Sequence, residues 1–180
     1  MLAATLAALC IALAPAWHVL AAVLVLTHWF FDRADGQLAR LQDSATPLGA
    51  WLDANLDELA DLSMQAAVAY SLFQAHFSHW PITLLVLFLV GKYLFMVGLW
   101  LEATAAPAPS SEVGQARNHS SLLHSSYHFL ANADVRVHLL ALALFAGQLW
   151  IQLALVAVYY NVRWLARYLL VVQRLRRAAA

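Results

Sequence analysis

The sequence predicts an all-α fold: a polytopic membrane bundle of about six transmembrane helices, the first of them short or truncated. Three observations lead there. Of 180 residues, 63% are hydrophobic and 11% charged, with a mean hydropathy of +0.69, whereas a soluble domain is about a quarter charged. Apolar runs recur at 2–14, 16–31, 62–75, 81–101, 137–147 and 149–172, several near the ~20 residues that cross a hydrocarbon core of ~30 Å. The runs are rich in Leu, Ala and Val without two-residue alternation, so their backbone groups are satisfied within helices rather than around a barrel. One core of packed helices makes residues 1–180 a single domain.

Each element has its own signals. Residues 2–14 give about 20 Å of helix before Pro15, which is short for a span; either the chain begins inside this helix, or the helix is tilted and partly interfacial. No basic stretch precedes it, which argues against a cleavable signal peptide. Residues 16–31 form a second helix that runs straight into Asp32. A third begins near Gly49 and continues to about Ser71. His76-Phe-Ser-His-Trp80-Pro81 reads as a turn, with Trp80 as an interfacial anchor and Pro81 opening a fourth helix that ends near residue 103. The polar interval Thr104–Val135 carries Pro107, Pro109 and Gly114 and reads as a loop with a short surface helix. Residues 137–172 would make a helix of about 54 Å. That overshoots a bilayer, and a break near Gly147-Gln148 divides it in two.

Charge fixes orientation. Net charge is zero, yet seven of the ten acids lie between Asp32 and Asp61, and Arg163, Arg167, Arg174, Arg176 and Arg177 crowd the carboxyl end. Basic residues mark cytoplasmic flanks, so the arginine-rich tail, the 32–57 segment and the 104–135 loop belong on the cytoplasmic side. The tail arginines are expected to meet anionic lipid headgroups. Nucleic acid is not expected as a partner of a neutral membrane chain. The single cysteine, Cys10, excludes an intrachain disulfide.

The chemistry lies in four aspartates, Asp32, Asp35, Asp53 and Asp57. Asp32 and Asp35 are three apart and Asp53 and Asp57 four apart, so each pair shares a helix face. Two helix ends flanking the 41–48 connection would aim them at a common space. Charged groups are costly at a bilayer edge, and acids alone repel, so a divalent cation is the simplest partner. All-carboxylate ligands suit Mg²⁺ or Mn²⁺ rather than zinc. Gly36 and Gly49 leave room for close approach, and Arg40 offers a planar fork for a phosphate or a base edge. Carboxylates, cations and one arginine suit phosphoryl transfer, and Asp57 is the candidate general base.

The run Asp32-x2-Asp35-Gly36-x2-Ala39-Arg40-x8-Gly49-x3-Asp53-x3-Asp57 resembles the signature of the CDP-alcohol phosphatidyltransferases at every fixed position. The following segment, Ser44 to Asp53, is similar to a subgroup with inositol-phosphate-transferring members. The resemblance implies two Mg²⁺ or Mn²⁺ ions, with Asp32 and Asp53 bridging both, Asp35 completing the first, and Asp57 contacting the second and acting as base. It also implies that Gly36, Arg40 and Thr46 hold a CDP-linked donor such as CDP-diacylglycerol. An alcohol acceptor then attacks and CMP leaves, a step of phospholipid biosynthesis. By the same resemblance the chain lies among membrane lipids, in a bacterial or archaeal cell membrane with its site at the cytoplasmic face, and a homodimer is compatible with it.

Other charges were weighed against ordinary roles. Arg136 is a candidate for a phosphate on the acceptor, or else an interfacial arginine snorkelling to headgroups; Arg117 and His119 are weaker candidates of the same kind. Lys92 lies within the fourth span, where a charge faces the interior or a polar cavity; Glu102 is too far along the same helix to pair with it, so Lys92 reads as one half of a structural ion pair or as part of an acceptor pocket. His124 and His128, four apart, read as interfacial or loop histidines rather than a metal site. Asp43, Glu58 and Asp61 extend the acidic patch and read as solvated groups or as supports behind the metal-binding acids. Alternatives to lipid synthesis are an inositol-type phosphodiester synthase of the same family, a divalent-cation transport protein and an inactive scaffold. Transport predicts acids spread through the membrane depth, and here they cluster at one edge.

Overall fold

The computed structural model describes residues 1–42, 46–105 and 133–178. Among these the chain is helical throughout, without a strand: α1 Leu2–Leu13, a 3₁₀ turn Pro15–Trp17, α2 His18–Leu41, α3 Pro47–His76, α4 Trp80–Ala105, α5 Ala133–Ala146 and α6 Leu149–Ala178. Most of the interval read as a loop with a surface helix, including Arg117, His119, His124 and His128, lies outside the described residues, as does Asp43.

The breaks follow local chemistry. Ala14 is extended, φ −167° and ψ 151°, because the residue before a proline is driven out of the α region. Phe77 ends α3 in the left-handed region, φ 48°, its N–H donating to Phe73 O at 2.8 Å. At the α5–α6 junction Gly147 takes φ 67°. Its N–H donates to Leu144 O at 3.4 Å and the next N–H, of Gln148, to Ala143 O at 2.8 Å. That pair of bonds satisfies the last carbonyls of α5 and needs a left-handed residue between them. The break expected near Gly147-Gln148 therefore falls there, whereas α2 and α3 run further than their apolar stretches suggest. The motif residues Asp32, Asp35 and Gly36 sit on the continuous helix α2, and Asp53 and Asp57 within α3.

Helix α3 is the hub, packing on α1, α4 and α6, while α2 packs on α1 and α5. Alanine dominates the α1–α2–α3 contact: Ala4, Ala7, Ala21, Ala22, Ala60 and Ala67 are all buried, letting backbones approach where dispersion and not water drives association. Larger side chains, Phe88, Leu144, Leu153 and Val156, fill the centre. Outward faces are apolar instead of polar, with Leu6, Leu9, Val19, Val23, Val86, Leu87, Leu155 and Val158 exposed, the inverse of a water-soluble bundle. Among the described residues two helices are long and apolar enough to cross a bilayer, over Trp80–Glu102 and Leu149–Arg176. Helices α1 and α5, of 12 and 14 residues, reach only about 18 and 21 Å.

The most extensive helix pair is α4 with α6, and it rests on one close approach. A Cβ on Gly91 would lie 2.7 Å from Asn161 Nδ2 and 2.9 Å from both Asn161 Cγ and its backbone N. The Asn161 amide donates to Leu87 O at 2.8 Å and to Ala157 O at 2.9 Å, locking the crossing with a cross-helix bond. Because backbone as well as side chain blocks a methyl there, Gly91→Ala should destabilise the protein by about 1–3 kcal/mol, the usual cost of overpacking. Gly98→Ala, where nothing lies within 4 Å, should be neutral or slightly stabilising. Thermal unfolding in detergent checks both.

Candidate active site

A helix advances about 100° per residue, so a four-residue step returns nearly to the same face. On α2 that step joins Asp32 to Gly36; on α3 it joins Asp53, Asp57 and Asp61. The two faces meet, and carboxylate oxygens of Asp32, Asp53 and Asp57 all lie within 4.8 Å of one another. Asp35 is exposed and outside this trio, although its charge is felt by both Asp53 and Asp57. The acids border a pocket of about 300 Å³. Helix α2 contributes His28, Trp29, Asp32, Arg33 and Gly36, α3 contributes Asp53, Asp57, Ala60, Asp61, Met64 and Gln65, and α5 contributes Arg136, Val137 and Leu140.

Electrostatics in the trio are unfavourable as the side chains stand. Burial, then the Asp32 charge and a hydrogen bond with Asp32, then Asp53 and Asp35, push the Asp57 carboxyl up to about 7. Asp53 is raised by burial and by Asp32 and Asp35. Both lie on the polar first turns of α3, ahead of its apolar stretch. Three oxygen ligands that repel one another at this separation fit a hard divalent cation, which would replace the shared proton.

The donor-side residues fare differently. Gly36 lines the pocket. Arg40 continues α2, but its side chain lies outside the described residues. Thr46 is the N-cap of α3: its hydroxyl oxygen accepts the Gly49 N–H at 3.0 Å, with Pro47 opening the helix. A Cβ on Gly49 would lie 3.1 Å from that oxygen, so glycine keeps the cap tight. The Thr-Pro-Leu-Gly sequence carried this signal, and the cap leaves the Thr46 hydroxyl hydrogen available to a ligand.

A second set of charges stands behind the trio; the sequence reading includes a structural pair for Lys92 but does not identify its partners. Lys92 on α4 is buried, with Nζ 2.8 Å from Glu58 Oε1 and in contact with Asp61 Oδ2. Arg136 on α5 has Nη2 3.8 Å from the same Asp61 oxygen, and its Nη1 donates to the Tyr160 hydroxyl on α6 at 2.5 Å. Glu58 and Asp61 are thus ion-paired across helices behind the trio, the second of the two readings given for them, and not solvated. A usable signal existed: Asp61 and Lys92 lie at nearly equal distances from the Phe77–His79 turn, as partners in an antiparallel hairpin do. Glu102 likewise finds its partners across the bundle, Arg167 at 2.5 Å and Arg174 at 3.1 Å. Those two tail arginines fold onto α4, and Arg163 lies over the Phe95 ring at 4.2 Å.

A family model described as CDP-alcohol phosphatidyltransferase matches residues 1–172. No curated protein matches the chain.

The crowded carboxylates generate a pH dependence. The folded protein holds the Asp57 proton to about pH 7, while an unfolded chain releases it near the usual 3.8. The stability linked to that proton is therefore complete below about pH 4 and is lost as pH rises through about 7. In chelator, the melting temperature should fall between pH 5 and pH 8. Asp57→Asn should flatten this dependence, and Mg²⁺ should restore stability at pH 8.

Proposed function

The chain belongs to the CDP-alcohol phosphatidyltransferase family, integral membrane phosphotransferases for substituted phosphate groups that use CDP-alcohol donors and alcohol acceptors, and from that premise we propose that it transfers a phosphatidyl-type group from a CDP-linked lipid to an alcohol, in phospholipid biosynthesis. The convergence of Asp32, Asp53 and Asp57 within 4.8 Å at the edge of a pocket is the observation that carries this reading.

The donor enters with its diphosphate toward the trio. Gly36, with no side chain, lets a phosphate approach the α2 backbone, and the Thr46 hydroxyl and Arg40 serve the cytidine half. Asp32, Asp53 and Asp57, with Asp35 alongside, would hold two Mg²⁺ or Mn²⁺ ions that neutralise diphosphate charge and draw out electron density. Asp57 takes the proton of the acceptor hydroxyl as its oxygen attacks the phosphorus distal to cytidine. A new P–O bond forms, the diphosphate P–O bond breaks, and CMP departs with the bridging oxygen. Arg136, which lines the pocket from α5, is assigned to the acceptor. The arginine-rich end of α6 supports placing this chemistry at the cytoplasmic face.

Full-length protein in proteoliposomes, supplied with CDP-diacylglycerol and an alcohol panel, should release CMP with Mg²⁺ or Mn²⁺ and stop in chelator. Asp57→Asn should lower turnover by about 10²–10⁴-fold, the usual contribution of a positioned base, while donor binding persists. Retained turnover in that variant would remove Asp57 from the role of base.

A further inference from the structure

Glu58, Asp61, Lys92 and Arg136 form a closed account of charge, with Asp61 and Arg136 lining the inner end of the pocket and Glu58 and Lys92 outside its lining, Lys92 joined to Asp61. Lys92, its side chain 6% exposed, is matched by Glu58 at 2.8 Å and by Asp61. Arg136, 18% exposed, faces Asp61 at 3.8 Å. Among the described residues there are two acids for two bases here, and both bases already have a carboxylate. Arg33 also belongs to the pocket but sits on α2 beside Asp32. A phosphate monoester of charge near −2 needs fixed positive charge in excess of its surroundings. At this inner end it would meet Arg136 only by crowding the Asp61 carboxylate, and like charges in a water-poor site repel strongly.

A hydroxyl group meets the opposite situation. Asp61 offers carboxylate oxygens that accept, and Arg136 Nε is buried with no hydrogen-bond partner, a donor left over after Nη1 engages Tyr160. Trp29, Met64, Val137 and Leu140 supply apolar wall for a carbon skeleton. Asp61 stands one helical turn from Asp57, so their side chains are about 6 Å apart along one face. A small polyol spans that distance, with one hydroxyl at Asp57 and another at Asp61.

We infer that the inner end of the pocket seats an uncharged, hydroxyl-rich acceptor, with Asp61 as the residue that selects against a phosphorylated one. Lys92 and Glu58 are positioning residues: they fix Asp61 so that it compensates Arg136. This rests on the transferase reading of the same site and narrows its acceptor. It also replaces the phosphate expected for Arg136 from sequence with a hydroxyl.

Two measurements test it. In proteoliposomes with CDP-diacylglycerol and Mg²⁺, CMP release is compared for glycerol and inositol against the monophosphates of each. The neutral member of each pair should have a kcat/KM at least about tenfold higher. A phosphorylated acceptor used equally well or better overturns the inference while leaving the transferase intact. CMP release with neither class overturns the transferase reading as well. Asp61→Asn removes the compensating charge and should move the ratio at least about fivefold toward the phosphorylated acceptor, chiefly through KM. An unchanged ratio in a folded variant also overturns it, and if that variant does not fold the wild-type ratio decides alone.

Discussion

Mutual repulsion among three carboxylates drawn from two helices is the constraint around which this protein is arranged. Asp32 on α2 and Asp53 and Asp57 on α3 converge within 4.8 Å, and burial, with the neighbouring carboxylates added, holds the Asp57 proton to about pH 7. Nothing in the bundle gains stability from such a cluster. The helices are held together elsewhere, by alanine-lined contacts with α1 and by the α2–α5 and α3–α4 interfaces. The scaffold thus spends packing energy to hold an arrangement that a bound divalent cation would relieve, as expected of a preorganised site.

The ion network behind the trio serves the same end. Two more acids on α3, Glu58 and Asp61, would deepen the negative potential if they stood alone. Lys92 and Arg136 cancel them from neighbouring helices, and the rings of Phe88 and Tyr160 lie 5.4 and 5.8 Å from the Lys92 ammonium. Buried pairs of this kind add little net stability, yet losing one partner is costly. Their main effect is to confine excess negative charge to the three aspartates and keep the rest of the pocket neutral.

What could be read from sequence, and what could not, divides along the range of the interaction. Helix count, the breaks at Pro15 and Gly147, and the aspartate pattern are local, set by proline, glycine and fixed spacing. The place of Asp35 was not legible, because a three-residue step leaves it about 60° short of a full turn from Asp32, while Gly36 overshoots by about 40°. Which of the two faces α3 depends on how α2 is rotated. The partners of Lys92, Glu102 and Arg167 depend on register between helices. Glu102 was weighed only against Lys92 on its own helix, so its pairing with Arg167 and Arg174 went unseen. Thr46 shows a different gap: a capping signal was present in Thr-Pro-Leu-Gly and was read only as a ligand contact.

The Gly91–Asn161 crossing carries a mechanical consequence. With backbone and amide in direct contact, and Glu102 tied to Arg167 and Arg174 further along, α4 and α6 behave as one stiff double rod. Helix α2 packs instead on α1 and α5, the two shortest of the described α-helices, and meets α5 through the edge-on contact of Trp29 with His138. Any relative movement of the helices therefore has to occur outside the α4–α6 pair, which stands as the fixed abutment of the bundle.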